Sequence, residues 1–297
     1  MRLKTGMKIT KKTKIRHRNE LNKTLSQLPL QAKRVVYLAL APIDSKNPIE
    51  SGRIFRITAS DFSDAAGISL TLAYQQLKEG AKLLKDSSLL LTGNDIVLLS
   101  KDLGLPYTEK NRPNEIDLSI TDYCAYFHNS GYLEIRFSRS MEPYISNLVG
   151  EKNRYTTKLL SSAVKLSGMY SSSLYQLIRK NCLNKSALVS FKIGINDLKE
   201  ELLAYDLNEE EEILYKYPDF PIFKREVLNK SIKEITKKTE VIDIRVSISE
   251  KEGKKASVLL FECQINEDAI NDEKNASRSD LKPEDVAFLN LLDEKGI

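Results

Sequence analysis

The residues with the plainest chemical purpose are Lys224, Arg225, Asn229, Lys233, Thr236 and Lys237. At helical spacing, Arg225, Asn229, Lys233, Thr236 and Lys237 fall within about 120° of arc, with Lys230 and Glu226 at the edge. Phe223, Val227, Leu228, Ser231, Ile232 and Ile235 fall on the opposite, core-facing side. Residues 224–238 hold six bases and two acids. Such a stripe suits a helix lying in a DNA major groove, where Arg binds the guanine edge through two hydrogen bonds, Asn binds adenine, and Lys serves guanine or phosphate. A solvated basic helix has the same composition, so the surrounding elements decide between the two.

Those elements favour DNA. A helix precedes the stripe, and two strands follow at 241–249 and 256–264, joined by a tip at 250–255. In that tip Lys254 and Lys255 supply charge for a phosphate backbone. A second helix at 71–85 buries Leu72, Ala73, Leu77, Leu83 and Leu84 on the same reasoning and exposes Tyr74, Gln75, Lys78, Lys82 and Lys85. With less charge, it suits phosphate contacts better than base reading. Residues 1–18 carry eight bases and no acid, and are expected to form a flexible basic arm.

Scarce residues exclude much other chemistry. Cys124, Cys182 and Cys263 lie 58 and 81 residues apart, form no CxxC pair and read as reduced core thiols. His17 and His128 are the only histidines, too few for a His-rich zinc site, and both read as structural. The 12 glycines include no phosphate-cradling Gly-x4-Gly-Lys-Ser/Thr loop and no Gly-x-Ser-x-Gly elbow. No cofactor is expected, and the reading is of a protein that is not an enzyme. The longest purely apolar run, 35–41, is too short to span a bilayer, and no apolar stretch follows the basic start as a secretory signal requires. A cytosolic location is therefore expected.

With 297 residues there is room for about two domains. Helices are expected at 20–28 and 30–41, a strand at 53–57, and helices at 59–66 and 69–85 on either side of Gly67. A short hairpin at 89–91 and 96–99 follows, then a longer one at 116–127 and 132–137 turning at His128-Asn129-Ser130-Gly131, then a helix at 140–149. The second half repeats the order: a helix at 171–181, a strand at 187–193, a helix capped by Asn196 and running to 203, an acidic loop to 212, the helix at 222–238, and the final hairpin. Helix, strand, helix, helix, hairpin occurs twice, which is the winged-helix plan. The expected class is α+β with two tandem winged-helix domains: a basic arm at 1–18, a first domain at 19–149, a linker at 150–154, a second domain at 155–265 and an acidic tail at 266–297, with a terminal helix at 283–293. The net charge of +5 conceals a division, since residues 262–297 carry ten acids and four bases and leave +11 on residues 1–261.

Taken together, Leu28-Pro-Leu-x-Ala32, Tyr37-Leu-Ala-Leu-Ala41, Arg154-Tyr-Thr-Thr157, Ser173-Leu-Tyr-Gln-Leu-Ile178, the run 217–223, Lys224-Arg-Glu-Val-Leu228 and Glu234-Ile-x-x-x-Thr239 resemble the iteron-binding replication initiators of theta-replicating bacterial plasmids. The resemblance spans about residues 20–265. It implies two winged-helix domains clasping one iteron, a short direct repeat in the origin. Lys224, Arg225, Asn229, Lys233 and Lys237 would then stand at the recognition-helix positions, and the exposed side of 71–85 would touch the backbone on the neighbouring turn. The resemblance further implies a monomer that opens the origin, in equilibrium with a homodimer that represses the protein's own promoter. Host initiator, replicative helicase and chaperones would be its partners. The acidic extension and the long basic start depart from the family core. Two other readings stand beside this one: a winged-helix transcription regulator with no initiation role, and a nicking or priming enzyme, which the two distant histidines disfavour.

Overall fold

Two helical caps show how the first half is laid out. Thr58 Oγ1 accepts from the Asp61 N–H at 3.0 Å while Asp61 Oδ2 accepts from the Thr58 N–H at 3.1 Å, a reciprocal box that starts a helix. That helix stops at Gly67, whose φ of 66° is the left-handed conformation that glycine tolerates. Ser69 Oγ then accepts from the Leu72 N–H at 3.3 Å and starts the next helix.

The computed structural model describes residues 9–50, 52–92, 96–97, 100, 104–128, 130–148, 155–182, 186–210 and 212–269. Its first elements are β1 (Lys14–Arg18), α1 (Leu21–Gln27), α2 (Leu30–Leu40), β2 (Phe55–Thr58), α3 (Ala59–Ala66) and α4 (Leu70–Lys85). There follow β3 (Ser88–Thr92), β4 (Glu115–Ser119), β5 (Thr121–Phe127), β6 (Tyr132–Phe137) and α5 (Glu142–Ile145). The second half holds β7 (Tyr155–Leu159), α6 (Leu160–Lys165), α7 (Met169–Lys180), β8 (Leu188–Gly194), α8 (Ile195–Glu201), β9 (Tyr205–Leu207) and β10 (Ile213–Tyr215). A continuous helical run then joins α9 (Phe220–Phe223), a π-helical turn (Lys224–Leu228) and α10 (Asn229–Lys238), and β11 (Val241–Glu252) and β12 (Lys255–Ile265) complete the chain's described part.

The two three-stranded sheets have the orders β2-β6-β5 and β11-β12-β8. In each, the strand that precedes the helix pair bonds to the second arm of the hairpin that follows it. Both are antiparallel throughout. The chain thus uses one winged-helix topology twice, as its sequence led us to expect.

Several expectations need correction. The flexible arm does not extend to residue 18, because Lys14–Arg18 pairs antiparallel with Tyr155–Leu159 and buries Ile15 and His17 completely. The strand at 89–91 pairs with Glu115–Ser119 instead of 96–99, and Ile96 and Val97 are helical. The single strand expected at 116–127 is two, since the buried Ile120 marks where the chain leaves β3 and joins β6. The helix expected at 140–149 lasts only four residues, because Asn147 takes a φ of 52° and the Leu148 N–H turns to the Ser45 carbonyl at 2.6 Å. Asn196 caps nothing: Gly194 stands at the cap position so that Ile195 can begin α8 facing inward. The acidic loop is the tip of the β9–β10 hairpin. The expected linker, the terminal helix, and the tail beyond 269 lie outside the described residues.

A buried polar seam joins the two halves. Gln176 on α7 donates to the Asn22 carbonyl at 2.6 Å and to Ser26 Oγ at 3.1 Å, both on α1. Its Oε1 accepts from Lys158 Nζ at 2.8 Å and from the Tyr37 hydroxyl at 3.0 Å. Asn22 Nδ2 donates to Thr156 Oγ1 at 3.1 Å, and Lys33 Nζ lies 3.4 Å from the Ser26 carbonyl. Burial holds the Lys33 ammonium down at about 7. Burial, then the neighbouring Lys33 and Arg179 charges, holds Lys158 well below the usual lysine range. His17 is lowered by burial and by Lys158, so it stays neutral.

Lys33 titrates near 10.4 when unfolded, so its burial penalises folding fully below about pH 7, and the penalty fades as pH rises toward 10. Lys33→Met should therefore raise stability by about 1–4 kcal/mol at pH 6, with the gain over the parent shrinking steadily between about pH 7 and 10. Denaturant titrations of both proteins across that range check it, and a loss, or a gain that does not change with pH, would contradict the assignment.

Candidate nucleic-acid interface

The helical run 220–238 is oriented by its inward side. Phe223, Val227, Leu228 and Ile235 are at most 1% exposed, and each contributes about 1.5–3 kcal/mol by leaving water. Ser231 is buried with them and Ile232 is half-buried, so the expected core side is the observed one. Within the π turn the Asn229 N–H bonds to the Lys224 carbonyl, five residues back, and both Val227 and Leu228 still face inward. The buried Lys199 of α8 steadies the start of the run. Its Nζ lies 4.9 Å from the Tyr215 ring centre and 5.7 Å from that of Phe223, and donates to the Pro218 carbonyl at 3.2 Å.

On the outward side Lys224, Arg225, Asn229, Lys233 and Lys237 are all exposed. Thr236 is not available in the same way, because its hydroxyl donates to the Ile232 carbonyl at 2.9 Å. Such back-bonding four residues along a helix is the usual recourse of a threonine there. Glu226 sits among the cations, accepting from Arg225 Nε at 2.7 Å and Lys230 Nζ at 2.6 Å. Hydrogen bonds from Lys230 and Arg225 lower its carboxyl. Lys238 turns away from the stripe to pair with Glu234 at 2.6 Å.

Beside this helix stands the β11–β12 hairpin, in which Glu252 pairs with Lys255 and leaves Gly253-Lys254 as a two-residue turn. Gly253 takes a φ of 60°, which a tight hairpin turn needs at its first position. Lys254 and Lys255 are exposed at the tip. Arg245 on β11, with 77% of its side chain exposed, adds a further cation that sequence spacing did not single out. Strand alternation offered a signal for it, but a charged residue on a wet face has no distinctive pattern.

In the first half, α4 buries Ala73, Leu77, Gly80, Ala81 and Leu84. It crosses α2 so closely that a Cβ at Gly80 would lie 2.5 Å from the Gln31 carbonyl oxygen and 2.6 Å from Val35 Cγ2. This contact sets the rotation of α4. Leu72, expected in the core, is consequently 40% exposed. Gln75, Lys78 and Lys82 face outward as expected. Tyr74 does not belong with them: its hydroxyl donates to the His128 carbonyl at 2.5 Å and its ring meets Tyr126 edge-on at 5.7 Å, fastening α4 to the β5–β6 turn. Among the described residues no group of three or more His, Cys, Asp or Glu side chains converges as a metal site requires, and no helix is long and apolar enough to cross a membrane.

A helix with a cationic outward side, followed by a hairpin wing, in each of two units of identical strand order defines a tandem winged-helix DNA-binding protein. Residues 14–179 match the family described as "Initiator Replication protein, WH1", and residues 205–263 that described as "Initiator Rep protein, WH2". The chain is 54% identical over 296 residues to the Escherichia coli "PI protein", across 99% of this chain and 97% of that one. It is similar, with a TM-score of 0.81 and 54% identity, to the protein in "Crystal structure of Pi initiator protein in complex with iteron DNA", covering 87% of this chain and 100% of the other. The chain belongs to the initiator replication protein family of plasmids.

If Tyr74 fastens the fold, Tyr74→Phe should cost about 0.5–1.5 kcal/mol in thermal denaturation, the usual contribution of one hydrogen bond. An unchanged melting curve would return Tyr74 to the solvent-facing set.

Proposed function

We propose that this chain binds iterons in the origin of a plasmid through both winged-helix units and, as several bound copies, opens the adjoining duplex. The observation that carries the reading is the repeated strand order, which gives one chain two outward helices of different charge density. The helix with more charge, bearing Lys224, Arg225, Asn229, Lys233 and Lys237, reads base edges in a major groove. Lys254 and Lys255 grip the backbone beside it, and Gln75, Lys78 and Lys82 hold phosphates one turn away. Thr236 and Tyr74 drop out of the contact set for the reasons given above.

The similarity to a relative solved with iteron DNA supports this reading. The chain's lack of a phosphate-cradling loop fits opening driven by binding energy. Bending a site costs about 1–6 kcal/mol, which added contacts offset. The monomer binds the iteron, while a homodimer represses the protein's own promoter, and host initiator, helicase and chaperones join at the opened origin.

Arg225→Ala should cost about 1–3 kcal/mol on the cognate repeat and relax preference at one base pair. Lys254→Ala should weaken binding to every sequence alike and reduce the salt slope by about 1. Fluorescence anisotropy on a panel of single-base variants at several salt concentrations measures both. Unchanged base preference in Arg225→Ala would refute the placement of the recognition helix.

A further inference from the structure

Between α4 and α10 runs a chain of polar contacts that neither the hydrophobic core nor the proposed base contacts require. Arg34 on α2 is only 8% exposed. Its Nη1 donates to Gln76 Oε1 on α4 at 2.6 Å, and its Nη2 donates to the Leu166 carbonyl at 2.7 Å. Leu166 leads into Ser167-Gly168, which opens α7. There the Ser167 N–H and hydroxyl donate to Glu234 Oε1 at 2.8 and 2.6 Å, and the Gly168 N–H donates to Glu234 Oε2 at 3.1 Å. Glu234 stands on α10, so five hydrogen bonds, bridged by the backbone of residues 166–168, join one outward helix to the other.

The links leave little play. A Cβ at Gly168 would lie 3.0 Å from Glu234 Oε2 and 2.8 Å from Ser171 Oγ. Burial alone would raise the Glu234 carboxyl, yet hydrogen bonds from Lys238, Ser167 and Ser171 and from the Ser167 N–H hold it at about 2. The carboxylate therefore stays charged, and that charge partly offsets what burial does to the Arg34 guanidinium. A planar guanidinium donates in fixed directions, so engaging Gln76 and Leu166 together fixes α4 against the start of α7 in both distance and angle. Gln76 is turned sideways into this contact, while its neighbour Gln75 faces outward.

We propose that Arg34 is a positioning residue which, with Glu234, forms a strut fixing the separation and rotational phase of the two DNA-facing helices, so that the chain accepts a repeat of only one internal spacing. This rests on the reading that α4 and the helical run 220–238 touch the same repeat. One added base pair moves one contact by about 3.4 Å and about a tenth of a turn relative to the other. A rigid pair of helices cannot follow that shift, whereas a loosened pair can.

The test measures binding of the full chain to a duplex carrying one direct repeat from the plasmid's own origin, and to a series with one base pair inserted at successive positions. The parent protein should lose about tenfold or more at insertions between the two contacted turns, and Arg34→Ala only about threefold or less, with Arg34→Lys between them. Gln76→Leu removes only the acceptor on α4 and should relax spacing selectivity likewise, so it serves if Arg34→Ala does not fold. A merely structural role for Arg34 would weaken binding to all duplexes by one common factor and leave the ratio unchanged, and that result overturns the strut. If the parent itself tolerates every insertion, the two-helix reading fails with it. If the parent discriminates and the Arg34 and Gln76 variants discriminate equally, only the strut fails.

Discussion

The two halves of this protein act as one body because a buried amide is satisfied at both ends. Gln176 donates into α1 through the Asn22 carbonyl and Ser26, and accepts from Lys158 and Tyr37. Removing any side-chain partner would leave a buried polar group unsatisfied, which costs more than the bond itself contributes. The seam is also selective: an apolar interface would tolerate sliding, whereas these hydrogen bonds exist at one register only. β1 strengthens it from a different direction, because the N-terminal strand pairs with β7, at the start of the second half, before the chain enters the first. Lys33 and Lys158 are the cost of this arrangement, two amines buried close together with no carboxylate among the described residues bonded to either.

On that base the winged-helix plan is used twice with different emphasis. The second unit concentrates cations on one helix and one wing, and anchors them by the apolar side of the same helix. The first presents fewer charges and spends Tyr74 and Gln76 on internal fastening. Within the second unit, Glu226 accepts from Arg225 and Lys230, so an anionic partner must compete with a carboxylate for those cations. Glu234, on the same helix, instead accepts from Ser167 and Gly168 at the start of α7 and serves the fold. One helix thus carries two acids with unrelated purposes, distinguished only by the groups from which each accepts.

Much of this was legible in the residues themselves. The stop at Gly67 between two helices and the buried side of 222–238 follow local rules that hold wherever the chain is placed. What escaped was non-local. Lys14–Arg18 contains a single aliphatic residue, Ile15, and its partner strand lies some 140 residues away, so nothing nearby marks it as a strand. Leu72 looked like core because its type is apolar, but Gly80 sets the helix rotation and turns Leu72 outward. Tyr74 and Thr236 sit on outward arcs, and only the positions of the His128 and Ile232 carbonyls show that their hydroxyls are already engaged. Arg34 and Glu234 carry no distinctive local pattern, and their linkage shows only when α2, α7 and α10 are seen together.

We propose that a single chain engages one direct repeat through two units on successive turns of the duplex. Hydroxyl-radical footprinting of the chain on an isolated repeat from the plasmid's origin tests it most directly, at a protein concentration where one copy is bound. Two protected stretches about one helical turn, 10–10.5 base pairs, apart are expected. A single protected stretch, with the flanking turn cut as in free DNA, would contradict it.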